Sequence, residues 1–143
     1  YNKKTVIETH VDDMNPEMVP HVMQKLFDLG VNDVFLTHII MKKGRPGIKI
    51  TVICDESKIN ESENILFSET STLGTRRYFV ERSELKREPD EIEIKYGTVK
   101  VKKTEYKGKI RYIPEYESCR KIALEKNIPI AVIYKEINKI SPE

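Results

Sequence analysis

Cysteine is scarce in this chain: its 143 residues hold only Cys54 and Cys119, far apart and with no C-x-x-C pair. That argues against a disulfide scaffold or a zinc knuckle, and it suits a reducing cytoplasm. Net charge is small as well, +2 in total, so bulk electrostatics does not drive the chain onto nucleic acid or a membrane. No apolar run approaches the roughly 20 residues needed to span a bilayer. No signal-peptide pattern opens the chain. There is no internal repeat and no low-complexity tract, and the phosphate-loop pattern G-x-x-x-x-G-K-[ST] occurs nowhere.

What is present is a charged surface around a modest core, with 38% hydrophobic and 34% charged residues. This suits one medium domain, or a domain with a small appendage. The first residue is Tyr1 rather than Met, and a strand-like segment follows at once; the expectation is an excised piece of a longer protein.

"KTVIETHV" has strand-like spacing. Asn15 is a good helix cap and Pro16 suits the first helical position. Val19, Val22, Met23, Leu26 and Phe27 recur at three and four, predicting an amphipathic helix that stops at Gly30. Pro20 removes an early backbone donor, so a distorted first turn is expected. "NDVFLTHIIMKK" reads as a buried strand, "GRPG" as a turn and "IKITVIC" as a second strand. Residues 57–68 suit a helix carried by Ile59, Ile65, Leu66 and Phe67, and "TRRYFVERSEL" is another strand. The order strand, helix, strand, strand, helix, strand is that of an α+β, ferredoxin-like βαββαβ sandwich, expected over residues 1–88. Pro89 marks a seam. Over 89–143, "EIEIKYGTVKVKK" reads as a hairpin about Tyr96-Gly97, "GKIRYIP" as one more short strand, and helices follow from Pro114 and Pro129. This small hairpin-plus-helix appendage is short of core alone and must dock on something.

Four patches could carry chemistry. In "ETHVDDMNPE", Asp12 and Asp13 offer the oxygen ligands that hard cations such as Mg²⁺ or Mn²⁺ take. Acids also gather at helix starts for the dipole alone, and the pattern by itself favours that plainer role by roughly two to one. "MKKGRPG" packs Lys42, Lys43 and Arg45 into a turn whose glycines imply a shaped backbone, able to present cations and N–H groups to an anion; a solvated basic loop is the commoner case. "TSTLGTRRY" brings Thr70, Ser71, Thr72 and Thr75 beside the guanidinium forks of Arg76 and Arg77, which point to opposite faces of a strand. In "IPEYESCRK", Glu115 opens a helix on which Tyr116, Cys119 and Arg120 share a face, with inward packing of Tyr116 and Cys119 the plainer reading. His10, His21 and His38 lack an i, i+4 or H-x-H spacing, so core or surface roles outrank metal ligation.

Together these segments resemble the carboxy-terminal domain of LarC-type nickel-insertion proteins, the pyridinium-3,5-bisthiocarboxylic acid mononucleotide nickel chelatases. "DDMNPE", "MKK-RPG", "TLG-RR" and "IPEYESCRKIA" occur in the family's order, with Gly44 a departure inside the turn, and the resemblance runs from about Thr5 to Tyr134. It implies a cytoplasmic enzyme that inserts Ni²⁺ into an organic mononucleotide, making the nickel-pincer nucleotide cofactor of lactate racemase. It implies dependence on CTP with Mg²⁺ or Mn²⁺, ending in CMP and pyrophosphate, with this domain as the CTP-binding, homo-oligomeric part and the amino-terminal domain missing. On the matching motifs, the triphosphate is expected at Lys42, Lys43, Arg45, Thr72, Thr75, Arg76 and Arg77, with Glu115, Tyr116 and Arg120 next. The divalent ion is expected at Asp12 and Asp13. The rival from another class is a non-catalytic nucleotide-sensing and oligomerisation module. RNA binding on the sheet ranks low, because "TRRYFV" lacks the RNP1 spacing.

Overall fold

The computed structural model describes residues 2–140, which divide into two units between Ser83 and Glu84. In the first unit, strand β1 (Asn2–Val11) buries Thr5, Ile7, Thr9 and Val11, which alternate onto one face. Helix α1 (Val19–Leu29) covers that face with Val22 and Leu26, both 0% exposed. Strands β2 (Asp33–Ile40) and β3 (Pro46–Cys54), helix α2 (Ile59–Glu69) and strand β4 (Arg76–Arg82) follow. The sheet order is β2-β3-β1-β4, and every neighbouring pair is antiparallel. This is the split βαβ arrangement that the sequence pattern predicts.

The helix start behaves as its residues require. The Asn15 side chain accepts from the Glu17 N–H at 3.0 Å, and Pro16–Met18 form a single 3₁₀ turn before the α-helix proper begins. Pro20 therefore falls within the first two positions of α1, where its missing N–H leaves no helical bond unmade. Gly30 closes the helix at φ 95°, a left-handed conformation that favours glycine. Asn15→Ala is expected to cost about 1 kcal/mol, read as a lower urea midpoint at unchanged slope.

Two expectations need correction. The apolar run 33–40 is not a buried strand. β2 is the edge of the sheet, with Phe35 and Leu36 exposed and Ile40 83% exposed. Apolar density alone does not distinguish a central strand from an edge strand. Phe27 and Phe67, counted on the inner helix faces, are 43% and 45% exposed, whereas Leu26 and Leu66 beside them are fully buried.

The second unit is a three-stranded antiparallel sheet of β5 (Arg87–Ile94), β6 (Gly97–Tyr106) and β7 (Lys109–Pro114), followed by α3 (Tyr116–Lys126) and α4 (Ile130–Ile140). Val99, Val101, Cys119, Ile133 and Ile137 form its core. Pro89 lies inside β5 opposite Lys102, on an edge strand, where a residue without an N–H is tolerated. The unit boundary falls upstream of it, between Ser83 and Glu84. The β5–β6 turn residues are Lys95 and Tyr96, closed by Ile94 opposite Gly97.

Burial pushes both thiols, Cys54 and Cys119, above their ordinary range. The unfolded chain loses these protons first, near pH 8.5. The contribution is thus fully present below that pH and is lost as pH rises toward the folded values. The urea midpoint is expected to fall between about pH 8 and about pH 10, and a midpoint that rises over this interval would contradict the assignment.

Candidate functional site

Strand register brings three of the four patches to one end of the first unit's sheet. Val11 at the end of β1 pairs with Ile48 near the start of β3, and Ile40 at the end of β2 pairs with Pro46. Glu8 of β1 pairs with Arg76, the first residue of β4. The acid pair leaves β1, the basic turn joins β2 to β3, and the hydroxyl-rich loop enters β4, all at that end.

Side chains tie the segments together. The Arg45 guanidinium lies 3.9 Å from the Asp12 carboxylate. The Ser71 hydroxyl donates to Asp13. The hydroxyls of Thr9 and Thr72 meet, and each lies 2.9 Å from the Gly74 carbonyl. Thr9 is 1% exposed, so a strand residue of the core pins the loop 71–74.

The basic turn has a defined backbone, as its glycines imply. The Met41 N–H donates to the Arg45 carbonyl at 2.7 Å, and the Gly44 N–H to the Met41 carbonyl at 3.1 Å. Lys43 and Gly44 sit at φ 62° and 70°. Gly47 is needed for close approach, because a Cβ there would stand 2.6 Å from Met41 Sδ and 3.0 Å from the Val11 carbonyl oxygen. Lys42, Lys43 and Arg45 all face solvent.

Arg76 and Arg77 separate onto opposite faces of the sheet, as strand alternation requires. Arg77 donates to Glu63 of α2 at 3.2 Å, and Thr75 donates to the same carboxylate at 3.2 Å. Arg76 stands opposite Glu8. The Tyr78 hydroxyl donates to Glu8 at 2.9 Å, which pushes the Tyr78 phenol above its ordinary range, and Lys49 lies 3.7 Å from the same carboxylate. Glu63 was not legible as a partner in the sequence: nothing in α2's spacing distinguishes it from the helix's other acids.

A cleft of about 520 Å³ opens beside Asp12, between the start of α1, the second half of β2 and the start of β3. Its walls are mostly apolar, with Met14, Met23, Leu36 and Ile48 prominent and the His38 imidazole among the few polar groups. His38 is exposed, not buried as its place in an apolar run implied. β1 ends at Val11, one residue after His10, so Asp12 lies beyond the strand. His21 lies 3.3 Å from Glu69.

Glu115, Tyr116 and Arg120 belong to the second unit. Glu115 precedes α3 and lies 3.5 Å from Lys102. Cys119 is buried, but Tyr116 is 57% exposed, so only one of the two packs inward. Among the described residues, no group of three or more His, Cys, Asp or Glu side chains is placed to hold a metal ion. Asp12 and Asp13 supply two hard oxygen donors, which suits Mg²⁺ or Mn²⁺ where phosphate oxygens and water complete the shell.

Residues 1–134 match the family described as nickel insertion protein. The chain belongs to that family. It is 48% identical, over 94% of its length, to the pyridinium-3,5-bisthiocarboxylic acid mononucleotide nickel insertion protein of Clostridium acetobutylicum, and 46% identical, over 92%, to that of Clostridium kluyveri. It spans about a third of each, 32% and 33% of their lengths. Among solved structures, it resembles the apo form of the C-terminal domain of a cyclometallase, LarC, involved in the synthesis of the NPN cofactor of lactate racemase. The TM-score is 0.90 at 31% identity, covering 98% of this chain and 96% of that one. A Methanopyrus kandleri protein at 20% identity and TM-score 0.64 shares the fold. Family membership thus rests on nearly the whole chain, and the convergent loops lie within the matched span.

Proposed function

We propose that this nickel insertion family chain is the CTP-binding carboxy-terminal part of a cytoplasmic, homo-oligomeric nickel-inserting cyclometallase. Its substrates are Ni²⁺ and a pyridinium bisthiocarboxylate mononucleotide, its product the nickel-pincer cofactor, and CTP ends as CMP and pyrophosphate. The amino-terminal domain of the same protein completes the enzyme.

The convergence of the acid pair, the basic turn and the hydroxyl loop at one sheet end carries this reading. A triphosphate packs several negative charges into a small volume, and its binder needs cations and a divalent ion. In this reading Lys43 and Arg45 would meet the phosphate oxygens, with Lys42, Thr72 and Thr75 in the same two loops as further contacts. Arg76 and Arg77 are further candidates. Arg77 would have to exchange Glu63 for phosphate. Asp12 and Asp13 would hold Mg²⁺ or Mn²⁺, which, when bound, offsets charge on the phosphate oxygens. Attack of a substrate phosphate oxygen on the α-phosphorus of CTP forms a new P–O bond as the bond to pyrophosphate breaks, leaving a cytidylylated substrate; later attack of water on that linkage breaks the new P–O bond and releases CMP. The side chains position the reactants and neutralise charge, and no nucleophilic residue is required.

The test is calorimetric titration of CTP into the chain with and without Mn²⁺, repeated for Asp12→Asn/Asp13→Asn. The unsubstituted chain is expected to bind more tightly with the ion, and the variant to lose that difference. Failure to bind CTP, or a metal effect that survives in the variant, would overturn the assignment. Because the chain spans only a third of its curated relatives, a non-catalytic nucleotide-sensing and oligomerisation module is the second reading. Binding without release of CMP and pyrophosphate, when the mononucleotide precursor is supplied, would favour it.

A further inference from the structure

The second unit carries a row of side chains with no part in nucleotide triphosphate binding. Register places Arg87 of β5, Thr104 of β6 and Arg111 of β7 side by side across the sheet. Val99 and Val101 of β6 pack into the core with residues of α3 and α4. Strand alternation therefore puts Thr104 on the opposite face, away from those helices. Thr104 is only 4% exposed, and among the described residues its hydroxyl has no hydrogen-bond partner. Lys102 and Tyr106, two residues to either side, share its face, so four long side chains flank this one hydroxyl.

Arg87 and Arg111 are both exposed, and among the described residues neither has a carboxylate partner. Lys102, one row on, already has Glu115 at 3.5 Å. A buried hydroxyl without a partner carries a desolvation cost that a ligand oxygen would relieve. The donors select that ligand. Each guanidinium offers a fork of N–H groups, and the hydroxyl adds one more donor. A carboxylate has two oxygens and is satisfied by a single fork. A phosphate monoester presents three terminal oxygens and a charge of about −1.5 to −2, which matches two forks and a hydroxyl.

We propose that Arg87, Thr104 and Arg111 form a phosphate-monoester site that takes the phosphate of the mononucleotide substrate. The choice of occupant rests on the function proposed above, whereas the site itself rests on the row of donors.

Nicotinic acid mononucleotide, a pyridinium mononucleotide with a ring carboxylate, is the probe, and its riboside, which lacks the phosphate, is the control. In the unmodified chain the mononucleotide is expected to shift the Nε–H resonances of Arg87 and Arg111, and the riboside to leave them in place. Arg87→Gln/Arg111→Gln is expected to weaken mononucleotide binding about 100-fold, with Mn²⁺–CTP affinity unchanged. Thr104→Val should weaken it about tenfold. The urea midpoint of that variant should hold or rise, because the lost hydroxyl had no hydrogen bond to give up. Arginine resonances that ignore the mononucleotide, or equal binding by the double variant, would overturn the site even if CTP binds. Inorganic phosphate binding as tightly as the mononucleotide would overturn the substrate assignment in favour of the free ion. Arginines that respond in a chain unable to bind CTP would bring down the proposed function and leave the phosphate site standing.

Discussion

Replacing Lys43 and Arg45 together by alanine is expected to weaken Mn²⁺–CTP binding by roughly 100-fold, with little change in thermal stability. Both residues are exposed on a turn whose backbone hydrogen bonds use main-chain atoms only, so the turn keeps its shape without their side chains, and the long, solvent-screened Arg45–Asp12 pair at 3.9 Å adds little stability. Each charge-assisted contact to a phosphate oxygen is worth about 1.5–3 kcal/mol, and two of them at the lower end of that range, as suits an exposed turn, account for the expected loss. Arg77→Ala should cost less, because its guanidinium already interacts with Glu63 at 3.2 Å and breaking that pair offsets part of any gain from phosphate. Calorimetric titration of the three proteins gives the ranking directly. Equal affinity of the double variant and the unsubstituted chain would remove the basic turn from the site.

Leu26→Ala is expected to destabilise the first unit by about 3 kcal/mol, within the ~2–5 kcal/mol found for buried leucine truncation. Leu26 is fully buried in one cluster with Ile7, Val22 and Ile50. Its loss removes apolar contact and leaves space that flanking β-branched side chains fill poorly. The same change at exposed Phe27 should cost far less, although the two residues are adjacent on one helix. Urea denaturation of both variants checks the contrast. A Leu26→Ala effect below about 1 kcal/mol would mean that α1 packs loosely on the sheet.

The contrast between Leu26 and Phe27 also shows where sequence reading stops. Spacing at three and four marks both as inner-face residues, but a helix buries a stripe whose width depends on what covers it. The sheet beneath α1 reaches Leu26 and not Phe27. The run 33–40 misleads for a related reason: its apolar residues are real, but whether a second strand pairs on its outer side is a matter of sheet order.

At the candidate site, residue types were legible and partners were not. "DDMNPE", the basic turn and the hydroxyl loop each carry local chemistry, and their shared location follows only from β1 being central, between β3 and β4. The Glu63–Arg77 pair joins residues 14 apart in the chain, and Ser71–Asp13 joins residues 58 apart; no local period encodes either. Thr9 was one strand residue among several until its hydroxyl was seen against Gly74.

The sequence by itself determined the order and type of the elements, the Asn15 cap and the stop at Gly30, because these depend on backbone preferences and on side chains a few residues apart. Tertiary structure decided which strand became the edge, which arginine met an acid, and that an apolar cleft opens beside the acid pair. Those outcomes depend on long-range packing, in which a side chain's surroundings come from segments that no local pattern specifies.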